Sequence, residues 1–241
     1  MSVALFEDFK LYPIIEKQTL SEQVRSYVLS LISQSNLNPG DEIPSEKEII
    51  ERLGVSRGVV REAFQSLSIL GILDISSGKK PKIQTLNSNP LETIFNHAIV
   101  TQQVNYKQIL ELRRAIEVDS AILAAMHGNK SDYVNLRKIA DKMQKSLLVS
   151  KDWNMFIQSD ITFHLTLAEM SQNPLYSLML KALRGALGGS ISAGLLNQNN
   201  YEEHKKIIDI HFDILESIER KDHINTGLKM DVHFKLTMDS F

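Results

Sequence analysis

Asp160 and His164 stand four residues apart in the stretch "SDITFHLTLAEM", Ser159 to Met170. A carboxylate and an imidazole at that spacing lie one helical turn apart and share a face. At 100° per residue, Trp153, Ile157, Ile161, His164 and Ala168 fall within about 80° of one another, with Phe156, Asp160 and Leu167 on one flank. Gln158, Thr162, Thr166 and Glu169 lie opposite. The pair therefore faces an interior, where an unpartnered carboxylate is costly. Either the two groups pair with each other or with a buried arginine, or they are ligands. Two more histidines favour ligands. "IIDIHFDILESI" sets His211 in line with Ile207, Ile214 and Ile218, and "LKMDVHFKL" sets His233 near the edge of the last helix's apolar stripe. Three imidazoles and a carboxylate from three helices suit a divalent first-row metal, with open positions if coordination exceeds four.

A second set of charges lies early in the chain. Ser56 opens a helix whose first turns carry Arg57, Gly58 and Arg61. The two arginines share a face that is not the Val60/Phe64/Leu67 face. Arginine is the side chain best suited to bidentate contact with guanine or to clamping phosphate. Further on, Lys79, Lys80 and Lys82 follow Gly78 as a compact basic knob.

The elements that must position these groups follow two grammars. From Gln18 to Gln34 apolar residues recur at helical spacing. Ser45 caps a second helix with Glu48 three residues on, a capping box, and that helix stops at Gly54. The Ser56 helix ends at Gly71. "ILDI" and "KIQT" flank "SSGKKP" as two strands around a tight turn. Two short helices joined around a glycine form a helix-turn-helix, and the hairpin makes it winged. In that motif the second helix enters the DNA major groove. The span from Met1 to Leu86 carries 10 Lys and Arg against 11 Asp and Glu. It is not basic as a whole, so solvated helix charges account for the arginines equally well on pattern alone.

After about Thr85 the chain turns to long amphipathic helix. Gln108 to His127 forms one, Ser131 caps "DYVNLRKIADKMQKSL", and Lys151 to Ser171 carries the opening pair. Tyr201 to Arg220 and Asp222 to Asp239 close the chain. Turn formers cluster in "TLNSNPLE", which places a boundary between residues 1–86 and 87–241. The expected fold class is mostly α, with an N-terminal winged helix-turn-helix domain and a C-terminal all-α bundle.

Bulk properties narrow the classes. The 241 residues include no cysteine, which removes disulfides, thiolate ligands and cysteine nucleophiles. No apolar run approaches the roughly 18 residues of a membrane span, and the acidic N-terminus is too short for a signal peptide, so the expected location is the cytoplasm. Net charge is −2. A nucleic-acid partner must therefore be argued from local pattern.

"GDEIPSEKEIIERLGVSRGVVREAFQSLSILGIL" closely resembles the winged helix-turn-helix of GntR-family bacterial transcription regulators, from about Leu20 to Thr85. The resemblance implies that Arg57 and Arg61 contact operator DNA, helped by Ser56, Gly58 and Lys79, and that Gly78 is the wing-tip glycine. The family usually has arginine after "PSE". Lys47 stands there, which implies a phosphate contact without the bidentate fork. "ELRRAIEVDSAILAA", "DITFHLTLAEMSQNPLY" and "HFDILESIERKDHINTGLKMDVHF" resemble the FadR-type (FCD) ligand-binding domain. That resemblance maps metal ligands onto Asp160, His164, His211 and His233. It maps an effector-carboxylate contact onto Arg113, for which a salt bridge to Glu117 or a surface charge is the alternative. His97, His127, His204 and His223 match nothing in it.

The resemblance implies a homodimeric repressor on an inverted-repeat operator. It holds a divalent ion, zinc first with nickel, manganese or iron also fitting, and answers a small organic acid. An acyl-CoA-responsive regulator without metal and a metal-dependent enzyme fused to a DNA-binding domain are the alternatives. Neither a general base nor a nucleophile signature supports the enzyme.

Overall fold

The computed structural model describes residues 18–187 and 201–238. The expected end of the last helix at Asp239 lies outside them. Contacts divide the chain into two compact units between Leu86 and Asn87.

The first unit is built from α1 (Leu20–Gln34), α2 (Glu46–Leu53), α3 (Arg57–Ile69), β1 (Leu73–Asp74) and β2 (Lys82–Ile83). Each helix begins where a side chain takes an orphan backbone N–H. Thr19 and Glu22 form a reciprocal box at α1, and Ser45 and Glu48 another at α2. Ser56 Oγ accepts from Val59 N at α3. Gly54 ends α2 in the left-handed region, at φ 66°, which costs a glycine least. The strands pair antiparallel, Leu73 with Ile83 and Asp74 with Lys82. They are shorter than the sequence pattern suggested. A further bridge from Glu42 to Lys82 adds the segment before α2 to the same small sheet. Val28, Ile49, Val60, Phe64, Leu67 and Leu73 are fully enclosed between helices and wing.

The second unit is helical among the described residues. It comprises α4 (Asn89–Val100), α5 (Tyr106–His127), α6 (Lys130–Gln144), α7 (Trp153–Met170), α8 (Pro174–Leu187), α9 (Tyr201–Glu219) and α10 (His223–Met238). A π-helical turn, Lys145–Ser150, continues α6 and stops at Lys151 in the left-handed region. Asn129, not Ser131, caps α6. Its Oδ1 accepts from Ser131 N and Asp132 N, and Asp132 returns the bond. Ser131 lies one step inside and donates its hydroxyl to Asn129 Oδ1.

Helix α5 packs against α7, α8, α9 and α10 and so acts as the spine. Its approach to α10 is close because Gly227 presents no side chain. A Cβ there would meet Ile122 at 2.8 Å. Arg137 on α6 holds Glu219 on α9 through two bonds of 2.9 and 2.5 Å, which fixes the helix carrying His211. On α8, Gly185 faces the Glu92 carboxylate of α4.

The buried face of α7 is broader than a single stripe and is shifted from the expected centre. Phe156, Ser159, Phe163, His164, Leu167, Ala168 and Met170 are buried, whereas Ile157 and Ile161 are half-buried. Three neighbours, α5, α6 and α8, enclose the helix, so a wider sector is covered. Phe156 and Phe163 each contribute roughly 1.5–3 kcal/mol by leaving water.

Candidate metal centre and nucleic-acid interface

Four helices converge on the opening pair. Helix α7 supplies Asp160 and His164, α9 His211, α10 His233, and α5 Arg113 and Glu117. The ligand nitrogens of His164, His211 and His233 all lie within 4.8 Å of one another, and all three residues are buried. The rings stand 4.7–5.4 Å apart, centroid to centroid. Asp160 Oδ1 is 3.5 Å from His164 Nε2 and 3.2 Å from His211 Nε2. The four mapped metal residues are therefore neighbours in space.

The His211 proton can be placed. His211 Nδ1 lies 2.6 Å from the Ile207 carbonyl oxygen. A carbonyl only accepts, so Nδ1 carries the hydrogen and Nε2 turns its lone pair toward Asp160. His164 Nδ1 lies 2.5 Å from Glu117 Oε2, which leaves Nε2 on the side of Asp160. Contacts of this kind at the far ring nitrogen can orient a histidine toward a metal.

Charge follows from surroundings. Burial pushes the His233 imidazole down, and the neighbouring His211 and His164 push it further, well below its ordinary value. Burial also opposes charge on His164, but Glu117 and Asp160 outweigh it and raise that imidazole. Burial would lift the Asp160 carboxyl. His164, His211 and Arg184 instead hold it well below the usual carboxylate range. Glu117 is treated likewise, with Arg113 the largest opposing cause.

A divalent ion fits this set. His164 Nε2 and His211 Nε2 are buried and have no hydrogen-bond partner among the described residues. Each approaches a carboxylate oxygen, and a cation held between them, a metal ion or a proton, would satisfy both atoms. The donor set is three imidazoles and a carboxylate, suited to zinc and its first-row neighbours. Two nitrogens on one ion at about 2.1 Å each cannot exceed about 4.2 Å of separation, so any pair at the outer limit must draw inward.

Arg113 is buried, which removes the surface-charge alternative. Its Nε donates to Glu117 Oε1 at 2.8 Å, the salt bridge that the i,i+4 spacing allowed, and its guanidinium lies over the Phe234 ring. Arg114, one step along the helix, pairs instead with Asp231. His204 stands edge-on to Trp153, and His127 meets the Ser171 carbonyl. Neither joins the cluster.

Two members were missed from sequence. Glu117 appeared only as a partner for Arg113, yet it also holds His164. Arg184 on α8 is the other. Its Nη1 donates to Asp160 Oδ2 at 3.2 Å, and its Nη2 lies 3.6 Å from Glu117 Oε2. The signal was present: "LKALRGAL" sets Arg184 one turn from Leu180 and Leu187, on an apolar face.

The first unit holds the second candidate site. A groove of about 1010 Å³ runs between the N-terminus of α2, helix α3 and the wing, and is lined in part by Lys47, Arg57, Arg61, Gly78 and Lys79. Among the described residues, Arg57, Arg61 and Lys79 form no ion pair, while Lys80 is held by Glu48 at 3.1 Å. Lys47 lies 3.8 Å from Glu51, with its side chain 85% exposed. Ser56 serves as the α3 cap. Gly78 sits at φ 75° in the wing turn, where other residues are strained. Gly58 differs. A Cβ there would meet nothing nearer than Ser56 Oγ at 3.9 Å, so nothing inside the unit demands a glycine.

Comparison with known proteins gives the family of each unit. Residues 20–80 match the bacterial regulatory proteins of the gntR family, and residues 108–235 match the FCD domain. The Glc operon transcriptional activator of Escherichia coli (strain K12) is 27% identical over 231 residues, 90% of this chain and 91% of that protein. The HTH-type transcriptional regulator LutR of Bacillus subtilis (strain 168) is 30% identical over 186 residues, 73% and 84% of the two chains. In fold, Streptococcus agalactiae GntR superposes with a TM-score of 0.70 at 22% identity, covering 92% of this chain and all of that one. The relatives are transcription regulators, not enzymes, and the chain belongs to the gntR family of bacterial regulatory proteins, as a DNA-binding transcription regulator with an FCD domain.

Proposed function

We propose that the helical domain senses a small carboxylate through a bound divalent metal and that the ligand alters operator binding by the winged domain. The observation that carries this is the convergence of Asp160, His164, His211 and His233 on one buried point, with guanidinium groups beside it. Those four residues hold the ion, zinc by default, with nickel, manganese or iron as alternatives. When bound, it supplies a Lewis-acidic centre for an oxygen of the effector. Glu117 keeps His164 oriented, and the Ile207 carbonyl keeps His211 oriented. Arg113 has its Nε committed to Glu117 and turns its remaining donors to the effector carboxylate. A buried ring of charges is a poor seat for an acyl chain, which disfavours an acyl-CoA effector.

In the winged domain, Arg57 and Arg61 reach the major groove, Ser56 holds the start of their helix, and Gly58 lets the backbone approach. Lys47 and Lys79 meet phosphate, and Gly78 shapes the wing tip. A homodimer sets two such heads on an inverted repeat in the cytoplasm. The ligand acts only through different affinities for the DNA-competent and DNA-incompetent states. The ligand-free dimer holds the operator as a repressor, and the ligand weakens that hold. Elemental analysis of untagged protein tests the site, with one ion per chain expected. Thermal-shift screening against hydroxy acids, sugar acids and dicarboxylates then tests the effector class, because a ligand favouring the native state raises its melting point. Absence of metal, with no ion lost in His211→Ala, would overturn the site.

A further inference from the structure

Arg184 leaves two donors open along one edge of its guanidinium. Its side chain is 4% exposed. Nη1 is used on Asp160 Oδ2, but Nε and Nη2 are buried and have no hydrogen-bond partner among the described residues. Nε–H and the adjacent Nη2–H lie on one edge of the guanidinium and point in parallel, the fork that takes both oxygens of a carboxylate. Leaving two such donors buried and unused is costly. Arg113 differs in this respect, because its Nε is already spent on Glu117.

The nearest anion cannot close the fork. Glu117 Oε2 stands 3.6 Å from Nη2, but it meets His164 Nδ1 at 2.5 Å, and Oε1 holds Arg113 Nε at 2.8 Å. Net charge points the same way. Arg113 and Arg184 are matched by Glu117 and Asp160, so a divalent ion among the histidines leaves two positive charges in excess. Asp160 links the two features, with Oδ1 toward the histidines and Oδ2 on Arg184. It is also the more open member, with 19% of its side chain exposed against 1–5% for His164, Glu117, Arg113 and Arg184.

We propose that the Nε/Nη2 edge of Arg184 is a second carboxylate anchor of the effector site, beside Arg113, and that it selects small dicarboxylates, one carboxylate on Arg184 and a second oxygen group toward the metal. The proposal rests on the metal-and-carboxylate function given above and adds this anchoring residue and the ligand's second charge.

The test uses the full-length, metal-loaded chain with malonate, succinate and acetate as probes. In thermal-shift titrations the wild type should bind a dicarboxylate at least tenfold more tightly than acetate. Arg184→Lys keeps the positive charge opposite Asp160 but loses the parallel edge. It should keep its metal content and lose at least tenfold in dicarboxylate affinity, with acetate affected less. A wild type that responds to dicarboxylates while Arg184→Lys binds them equally well overturns the role of Arg184 alone. No response of the wild type to any probe overturns the carboxylate function as well. If Arg184→Lys does not fold, a crystal structure of the wild type with malonate decides. A carboxylate within hydrogen-bond distance of both Nε and Nη2 upholds the proposal, and a malonate bound elsewhere defeats it.

Discussion

The two units use arginine in opposite ways. Arg57 and Arg61 stand in the groove of the winged unit, exposed and without ion partners among the described residues. Arg113 and Arg184 are buried and locked to Glu117 and Asp160. In the groove each charge stays hydrated and independent, so removing one costs little stability and mainly alters what the surface can attract. In the helical unit each charge is tolerated only because the others are there. The first arrangement suits a surface that meets a polyanion and lets it go. The second suits a site whose occupancy matters to the state of the whole domain.

That contrast can be broken first at Glu117. Glu117→Gln leaves Arg113 and His164 without their carboxylate, and breaking a buried pair in this way costs roughly 3–5 kcal/mol. Urea denaturation followed by circular dichroism reads it. A loss under about 1 kcal/mol would show the cluster to be no more cooperative than surface charges. His211→Ala should release the ion without unfolding the winged unit, seen as lost metal stoichiometry with operator-independent DNA affinity unchanged.

In the groove, Arg57→Ala and Arg61→Ala should each weaken operator binding by about 1–3 kcal/mol in gel shifts at fixed salt. Their unfolding free energies should stay within the scatter of surface substitutions, about 0.5 kcal/mol. The finest test is Gly58→Ala. Alanine is the better helix former and the unit has room for its methyl, so stability should hold or rise slightly while operator affinity falls. A variant that binds as well as wild type would mean that Gly58 does not face the DNA backbone closely.

The winged unit was the more legible from sequence because its boundaries are set locally. The Ser45/Glu48 box, the Gly54 stop and the Ser56 cap are each decided within four residues, and all three stand where the pattern placed them. The wing strands came out shorter because pairing, unlike capping, depends on distant backbone. The same holds for α6. Asn129 and Asp132 form the cap where the pattern points to Ser131, two acceptors within one turn being hard to rank without geometry. Asp160, His164, His211 and His233 could be singled out because polar groups on apolar stripes are conspicuous. Arg184 also sits on an apolar face, and Glu117 one turn from Arg113, but a charged side chain on an amphipathic helix is ordinarily a solvent-facing one. The packing of α8 and α5 against α7 is what turns these two inward. The shifted face of α7 has the same origin, because a wheel knows one helix and the sector buried depends on how many neighbours it has.

Glu48 deserves a last consequence. Its carboxylate closes the α2 cap on Ser45, whose hydrogen bonds hold its pKa down to about 2, and it also grips Lys80 of the wing at 3.1 Å. A cation that enters a DNA complex normally releases counter-ions condensed on the phosphates, and the salt dependence of binding counts them. Lys80 arrives already neutralised. A phosphate that draws it away leaves Glu48 to recruit a cation from solution, so the exchange returns little net ion to the buffer. Lys79, with no carboxylate beside it, keeps its full share. The steepness of operator binding against salt should therefore be smaller than the number of wing lysines suggests, and Glu48→Gln should steepen it while blunting one side of the α2 cap.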